Sequence, residues 1–136
     1  MKKFILFAGL CSMIFVGCTK KDGEVKSVTE AVTSGSWRVT NFSEGSKNAT
    51  SEFEGYNFSF QSNGKVLASK NGTATEGNWS ESTGSQKLII DLGTKTAANK
   101  LGQLSDDWVI VSKSSTKISL TDDNASSNEL LEFSKN

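Results

Sequence analysis

Three kinds of residue in this chain could do chemistry: paired carboxylates, one thiol at the end of an apolar run, and a set of aromatic rings. The carboxylates fall at Glu52/Glu54, Asp106/Asp107 and Asp122/Asp123. Two carboxylates that face each other across a sugar linkage can run its hydrolysis. Neighbours on a strand point to opposite faces, which argues against Asp106 and Asp107 acting as such a pair. "TDDNASSNE" (121–129) is rich in oxygen ligands but lacks the alternating Asp spacing and central Gly of a calcium loop. Asp, Asn and Ser are turn residues in their own right, so an ordinary hairpin loop is expected there. Histidine is absent from all 136 residues, which removes the commonest general base and the commonest zinc ligand together. "GTKT" (93–96) lacks the leading glycine spacing of a phosphate loop, and neither Gly-x-Ser-x-Gly nor Cys-x-x-Cys occurs. No catalytic residues, no metal site and no cofactor are expected, and the chain reads as a non-enzyme.

The thiol is Cys18. It follows Met1-Lys2-Lys3 and an apolar run from Phe4 to Gly17, the parts of a secretory signal peptide. The run falls short of the roughly 18–20 apolar residues that a membrane-spanning helix needs. Phe15-Val16-Gly17-Cys18 resembles the bacterial lipobox, with Phe15 where Leu is usual. That resemblance implies that residues 1–17 are a lipoprotein signal peptide and that the Cys18 thiol becomes a thioether to diacylglycerol. The thiolate is the strongest side-chain nucleophile, which suits that reaction. Two or more acyl chains, palmitate among them, then hold the mature chain to a membrane. "CTKKDGE" further resembles the Lys-then-acidic signal of surface-exported lipoproteins of Bacteroidota, which makes Lys20, Lys21 and Asp22 an export signal; the alternative is a solvated linker. The implied location is the outer membrane, lipid-anchored, with export to the cell surface as a further expectation.

Composition limits the rest. The mature chain has length for one domain, with residues 18–27 as lipidated Cys and polar tether and 28–136 as the domain. Cys11 leaves with the signal, so no disulfide holds the fold. Without Lys2 and Lys3 the balance is 13 basic against 15 acidic residues, with no basic block, so nucleic acid is not an expected partner. A monomer is expected. Asn-x-Ser/Thr sequons at Asn48, Asn71 and Asn124 carry no meaning for a bacterial lipoprotein.

The elements that must position these residues read as strands. "VKSVTEAV" (25–32) places Val25, Val28 and Val32 on one helical face, and Gly35 would end that short helix. "SWRVTNF" sets Trp37 and Val39 on one face, with Phe42 off the alternation. "FEGYNFSFQ" aligns Tyr56, Phe58 and Phe60, the clearest period-two signal in the chain. Asn63-Gly64 is a hairpin cue, because a type I′ turn needs positive φ at both central residues. A second Asn-Gly at 71–72 bends the chain into "TATEGNWSES". "QKLIIDLG" follows, then a stretch at 94–105 that loses alternation and could hold a short helix. "DWVIVSKS", "TKISLTD" and "NELLEFSK" complete eight strands. The expected fold is all-β, an eight-stranded antiparallel up-and-down barrel with a short N-terminal helix, with a β-sandwich as the alternative.

"GSW" (35–37) at the start of the first strand resembles the Gly-x-Trp motif of lipocalins. "FSFQSNGKV", "EGNW", "DDWVIVSKSSTKISL" and "LLEF" are similar to the lipocalin-like lipoproteins of Bacteroidota. The resemblance covers roughly 28–135 and implies a lipocalin-like barrel. Lipocalins often stack an arginine of the last strand on that tryptophan; here the only arginine is Arg38, beside it.

Two functions follow. Trp37, Tyr56, Phe58, Phe60, Trp79 and Trp108 take inward-compatible positions, and they either line a pocket for a small apolar ligand or fill the barrel. The expected function is the first, binding of a small apolar ligand in the barrel with the filled barrel as the alternative, and buried ligand surface would contribute roughly 25 cal/mol per Å² before ordering costs. In the second, a filled barrel carries loops (44–55 and 93–106) that bind a protein or glycan partner.

Overall fold

A computed structural model describes residues 24–136. The expected signal peptide (1–17), lipidation site Cys18 and export signal Lys20, Lys21 and Asp22 lie outside the described residues. The order is helix α1 (Val28–Val32), β1 (Trp37–Glu44), β2 (Lys47–Asn48), a 3-10 turn (Thr50–Phe53), β3 (Asn57–Phe60), β4 (Lys65–Lys70), β5 (Thr73–Ser82), β6 (Lys87–Asp91), a second 3-10 turn (Lys100–Leu104), β7 (Asp106–Lys113), β8 (Lys117–Asp122) and β9 (Leu130–Lys135). Strands β3 to β9 form an antiparallel meander. Strand β1 pairs with β3 on one side and with β9 on the other, from Trp37↔Lys135 to Ser43↔Leu130. The sheet therefore closes into an eight-stranded up-and-down barrel, and the two-residue β2 folds back on the end of β1. Among the described residues the β1–β9 ladder leaves no second sheet, which disposes of the sandwich.

The eight expected strands are all present, but two of them carry an extra residue. In β1, Val39 faces Phe133 and Asn41 faces Glu132, so Thr40 is bulged out of register. The slip turns Phe42 back into the interior, where it is fully buried. Strict alternation had put it off the core face. In β7 the slip falls between Ile110 and Ser112, and the residue between them, Val111, is 63% exposed.

Turn chemistry divides between the two Asn-Gly pairs. Asn71 (φ 53°) and Gly72 (φ 78°) both take positive φ, as a two-residue type I′ loop requires, and Lys70 pairs with Thr73 across it. At 63–64 only Gly64 has positive φ (84°), and the loop closes through Gly64 N–H to the Gln61 carbonyl at 3.0 Å. The hairpin is there, but as a three-residue loop with glycine last.

Helix α1 is shorter than the pattern suggests, beginning at Val28 because Ser27 is extended and caps it, its hydroxyl accepting from Glu30 N–H at 3.0 Å. The Glu81 carboxylate from β5 takes the next two free donors, Val28 N–H (3.2 Å) and Thr29 N–H (2.9 Å), and the Thr29 hydroxyl (2.6 Å). So fixed, the helix buries Val28, Ala31 and Val32 against the core at one end of the barrel. The Trp37 indole N–H donates to the Val32 carbonyl at 3.0 Å. Above the same ring lies Lys135 Nζ, 5.4 Å from the centroid. The last strand thus does place a cation on the first tryptophan, a lysine where an arginine was looked for.

Candidate functional site

The aromatic set comes first, because its packing decides whether the interior can receive anything. Trp37, Phe58 and Trp108 have no measurable exposure, Phe60 has 2% and Trp79 8%. Phe60 meets Trp79 at 5.8 Å and Phe133 at 5.6 Å, both edge-on; Phe58 meets Phe133 at 5.3 Å. Phe42 bridges Phe53 (5.2 Å) and Trp108 (6.4 Å) in the same manner. Each indole N–H has a backbone carbonyl: Val32 for Trp37, Gln61 for Trp79 (2.9 Å) and Leu104 for Trp108 (2.9 Å). These rings hold one another and present no polar handle to a guest. Tyr56 is only half-buried, packed against the core beside Phe58 (6.2 Å) with Lys70 Nζ 5.1 Å from its ring centre.

A second arrangement lies where the two long loops meet. Glu44, Asp91, Gly93, Thr94, Lys95, Gly102, Gln103, Ser105 and Glu129 wall a cleft of about 710 Å³. The loops are tied across it: Lys95 pairs with Glu44, and the Gln103 amide donates to Glu52. That hydrogen bond holds the Glu52 carboxyl below its ordinary range. The 93–105 segment is braced from within. The Asn99 amide donates to the carbonyls of Leu92 (3.1 Å) and Thr94 (3.0 Å). The Ser105 hydroxyl accepts from Leu92 N–H and donates to the Gly93 carbonyl, both at 2.8 Å. Gly102 permits the closure, since a Cβ there would lie 2.4 Å from Lys95 N. Leu101 and Leu104 anchor the segment in the core.

Carboxylates gather beside this cleft, where the sequence pair Asp122/Asp123 is joined by Asp106 from β7. Asp106 faces not Asp107 but Asp122, the last residue of β8, and Asp123 just beyond it, one oxygen from each lying within 4.8 Å of the others. Partial burial, and then the charges of Asp122 and Asp123, push the Asp106 carboxyl up, against the opposing hydrogen bond from Asp107 N–H. Partial burial and then Asp122 and Glu44 push Glu129 up as well. Lys87 Nζ bonds Asp123 at 2.8 Å, which raises the lysine's own pKa. Glu52 and Glu54 do not act together: Glu52 is tied to Gln103, while Glu54 is exposed. The sequence marked the two loops; it gave no sign of Glu44, Lys95, Gln103 and Glu129 as their bolts, since each is an ordinary surface residue type until the fold joins them.

A second cleft, of about 400 Å³, lies at the helix end between Lys26, Ser27, Glu81, Thr83, Gln86 and the Ile110–Lys113 segment. None of Trp37, Phe58, Phe60, Trp79 or Trp108 is on the wall of either cleft.

No known protein-family profile matches the chain, and no curated protein matches it. Among solved structures, the fold is similar to that of a DUF4847 family protein from Bacteroides vulgatus. The TM-score is 0.59 at 15% identity, over 81% of this chain and 98% of that one, so the likeness is one of fold.

Proposed function

We propose that this chain is a lipid-anchored envelope lipoprotein whose filled, lipocalin-like barrel holds a rigid loop face for a protein or glycan partner. The observation that carries the loop face is the pair of ties across the 710 Å³ cleft, Lys95 to Glu44 and Gln103 to Glu52. A surface held in its bound shape loses little freedom when a partner docks, and polar groups fixed on a rigid frame suit recognition. The lipocalin-like reading is supported by Gly35-Ser36-Trp37 entering β1 behind a short helix, with Lys135 of the last strand on the tryptophan. The anchor reading rests on the lipobox-like Phe15–Cys18. No role in catalysis is assigned.

The competing reading, a small apolar ligand inside the barrel, needs space among rings that now touch. Native mass spectrometry of residues 19–136, purified without detergent, separates the two. A clean unliganded mass, repeated after incubation with lipids and aromatic metabolites, is the expected result. A reproducible extra mass of ligand size would return the function to the interior. For the anchor, Cys18→Ser is expected to leave the precursor unprocessed or release the protein from the membrane fraction; normal acylation and partitioning would refute it.

A further inference from the structure

An exposed valine stands on β7 at the helix end of the barrel. Val111 is the most exposed large apolar side chain among the described residues, at 63%, on the outward side of β7 next to core-packed Ile110 and at the register slip between Ile110 and Ser112. Alternation along the strand points this valine at water. Around it stand half-buried Ile110 and exposed Lys113 and Lys26, on the wall of the 400 Å³ cleft at the helix end. The acids of that neighbourhood are Glu81, whose oxygens are occupied by the helix N–H groups, Glu30, which accepts from Lys26 N–H, and Glu24. The opposite end carries Glu44, Asp91, Asp106, Asp107, Asp122, Asp123 and Glu129. The other large exposed apolar side chain, Leu130, stands there next to Glu129.

The chain between Cys18 and Glu24 is six residue steps long and spans at most about 20 Å when fully extended. An anchor at Cys18 therefore holds the helix end, not the loop end, near the lipid. We infer that the anchored protein rests on an anionic lipid surface through Val111, with Lys26 and Lys113 at the headgroups, and that the carboxylate-rich loop face points away. Apolar tips that dip into the interface and flanking lysines that meet acidic headgroups are the ordinary means of such contact, and carboxylates are repelled from the same surface. The inference rests on the lipid-anchor reading, and it explains how the loop face is left free for a partner.

The test couples the chain Cys18–Asn136 through its single thiol to a maleimide lipid in vesicles of phosphatidylcholine and phosphatidylglycerol. Lysines are then acylated with an amine-reactive reagent and read by mass spectrometry, against the same chain capped with a soluble maleimide. Lys26 and Lys113 should label severalfold less on the vesicle, while Lys95 and Lys100 label equally in both. Equal labelling of Lys26 and Lys113, or protection of Lys95 and Lys100 in their place, would overturn the orientation. Val111→Asp should restore the labelling of Lys113 without detaching the protein; continued protection would remove Val111 from the contact. Because the anchor is supplied chemically, a failure here is distinct from a failure of acylation in the cell, which Cys18→Ser reports.

Discussion

Lys135 and Glu81 show how single side chains seal the helix end. Lys135 Nζ sits over the Trp37 ring and also reaches the Ser34 hydroxyl at 3.3 Å. Replacing it with Met keeps the aliphatic stem and removes the cation, so urea unfolding should report a loss of about 0.5–1 kcal/mol, with Lys135→Arg close to neutral. Glu81 acts on the helix. Partial burial works to raise its pKa, but the hydrogen bonds from Thr29 and Val28 outweigh that and hold it below the ordinary glutamate value. A depressed carboxyl adds stability that is whole above its unfolded pKa, about 4.3, and fades as pH falls through the lower folded value. Glu81→Gln should therefore cost about 1 kcal/mol at neutral pH, an N-cap magnitude taken low because the site is part-exposed. The wild-type and variant urea midpoints should converge in acid; a gap that persists at the lowest pH would refute the charge as the cause. The sequence pointed to Trp37 through its glycine spacing, but not to Lys135. A lysine is an unremarkable residue on a strand until register places it opposite the tryptophan, and Glu81 lies far along the chain from the helix it caps.

At the level of elements, period-two alternation made the strands legible, because one face of each meets the core and the other meets water. It failed where one residue was added. Thr40 and Val111 each shift the register by one, and no local feature of "SWRVTNF" or "DWVIVSKS" marks the shift, which depends on the partner strand. The 93–105 loop was legible only as a loss of alternation, since its order comes from side chains bonding back to carbonyls. Asn99 carries two of those bonds. Asn99→Ala should cost about 1–2 kcal/mol locally by leaving the Leu92 and Thr94 carbonyls without that partner. Hydrogen exchange should quicken across 93–104 while the barrel strands keep their protection. If the proposed partner reads this loop in its bound shape, affinity should fall with it. Gly102→Ala is the harsher variant, because its Cβ would collide with Lys95 N and overpacking costs about 1–3 kcal/mol.

For the whole molecule, the question is whether the barrel is a container or a scaffold, and one truncation separates these. Phe60 stands edge-on between Trp79 and Phe133 at 2% exposure. In a filled barrel, Phe60→Ala removes ring contacts on both sides and leaves a void that the closed sheet cannot collapse, a loss of about 3–5 kcal/mol. Lining an empty pocket, the same ring would have no partner atoms on its open side and would forfeit much less when cut back. The described residues contain no cysteine and so no disulfide to absorb such a loss, and domains of this size are stable by only about 5–15 kcal/mol. A urea midpoint lowered by a third or more of the total stability, with the slope unchanged, is the expected result. A near-neutral Phe60→Ala would mean that the interior tolerates empty space, and the ligand would then belong inside.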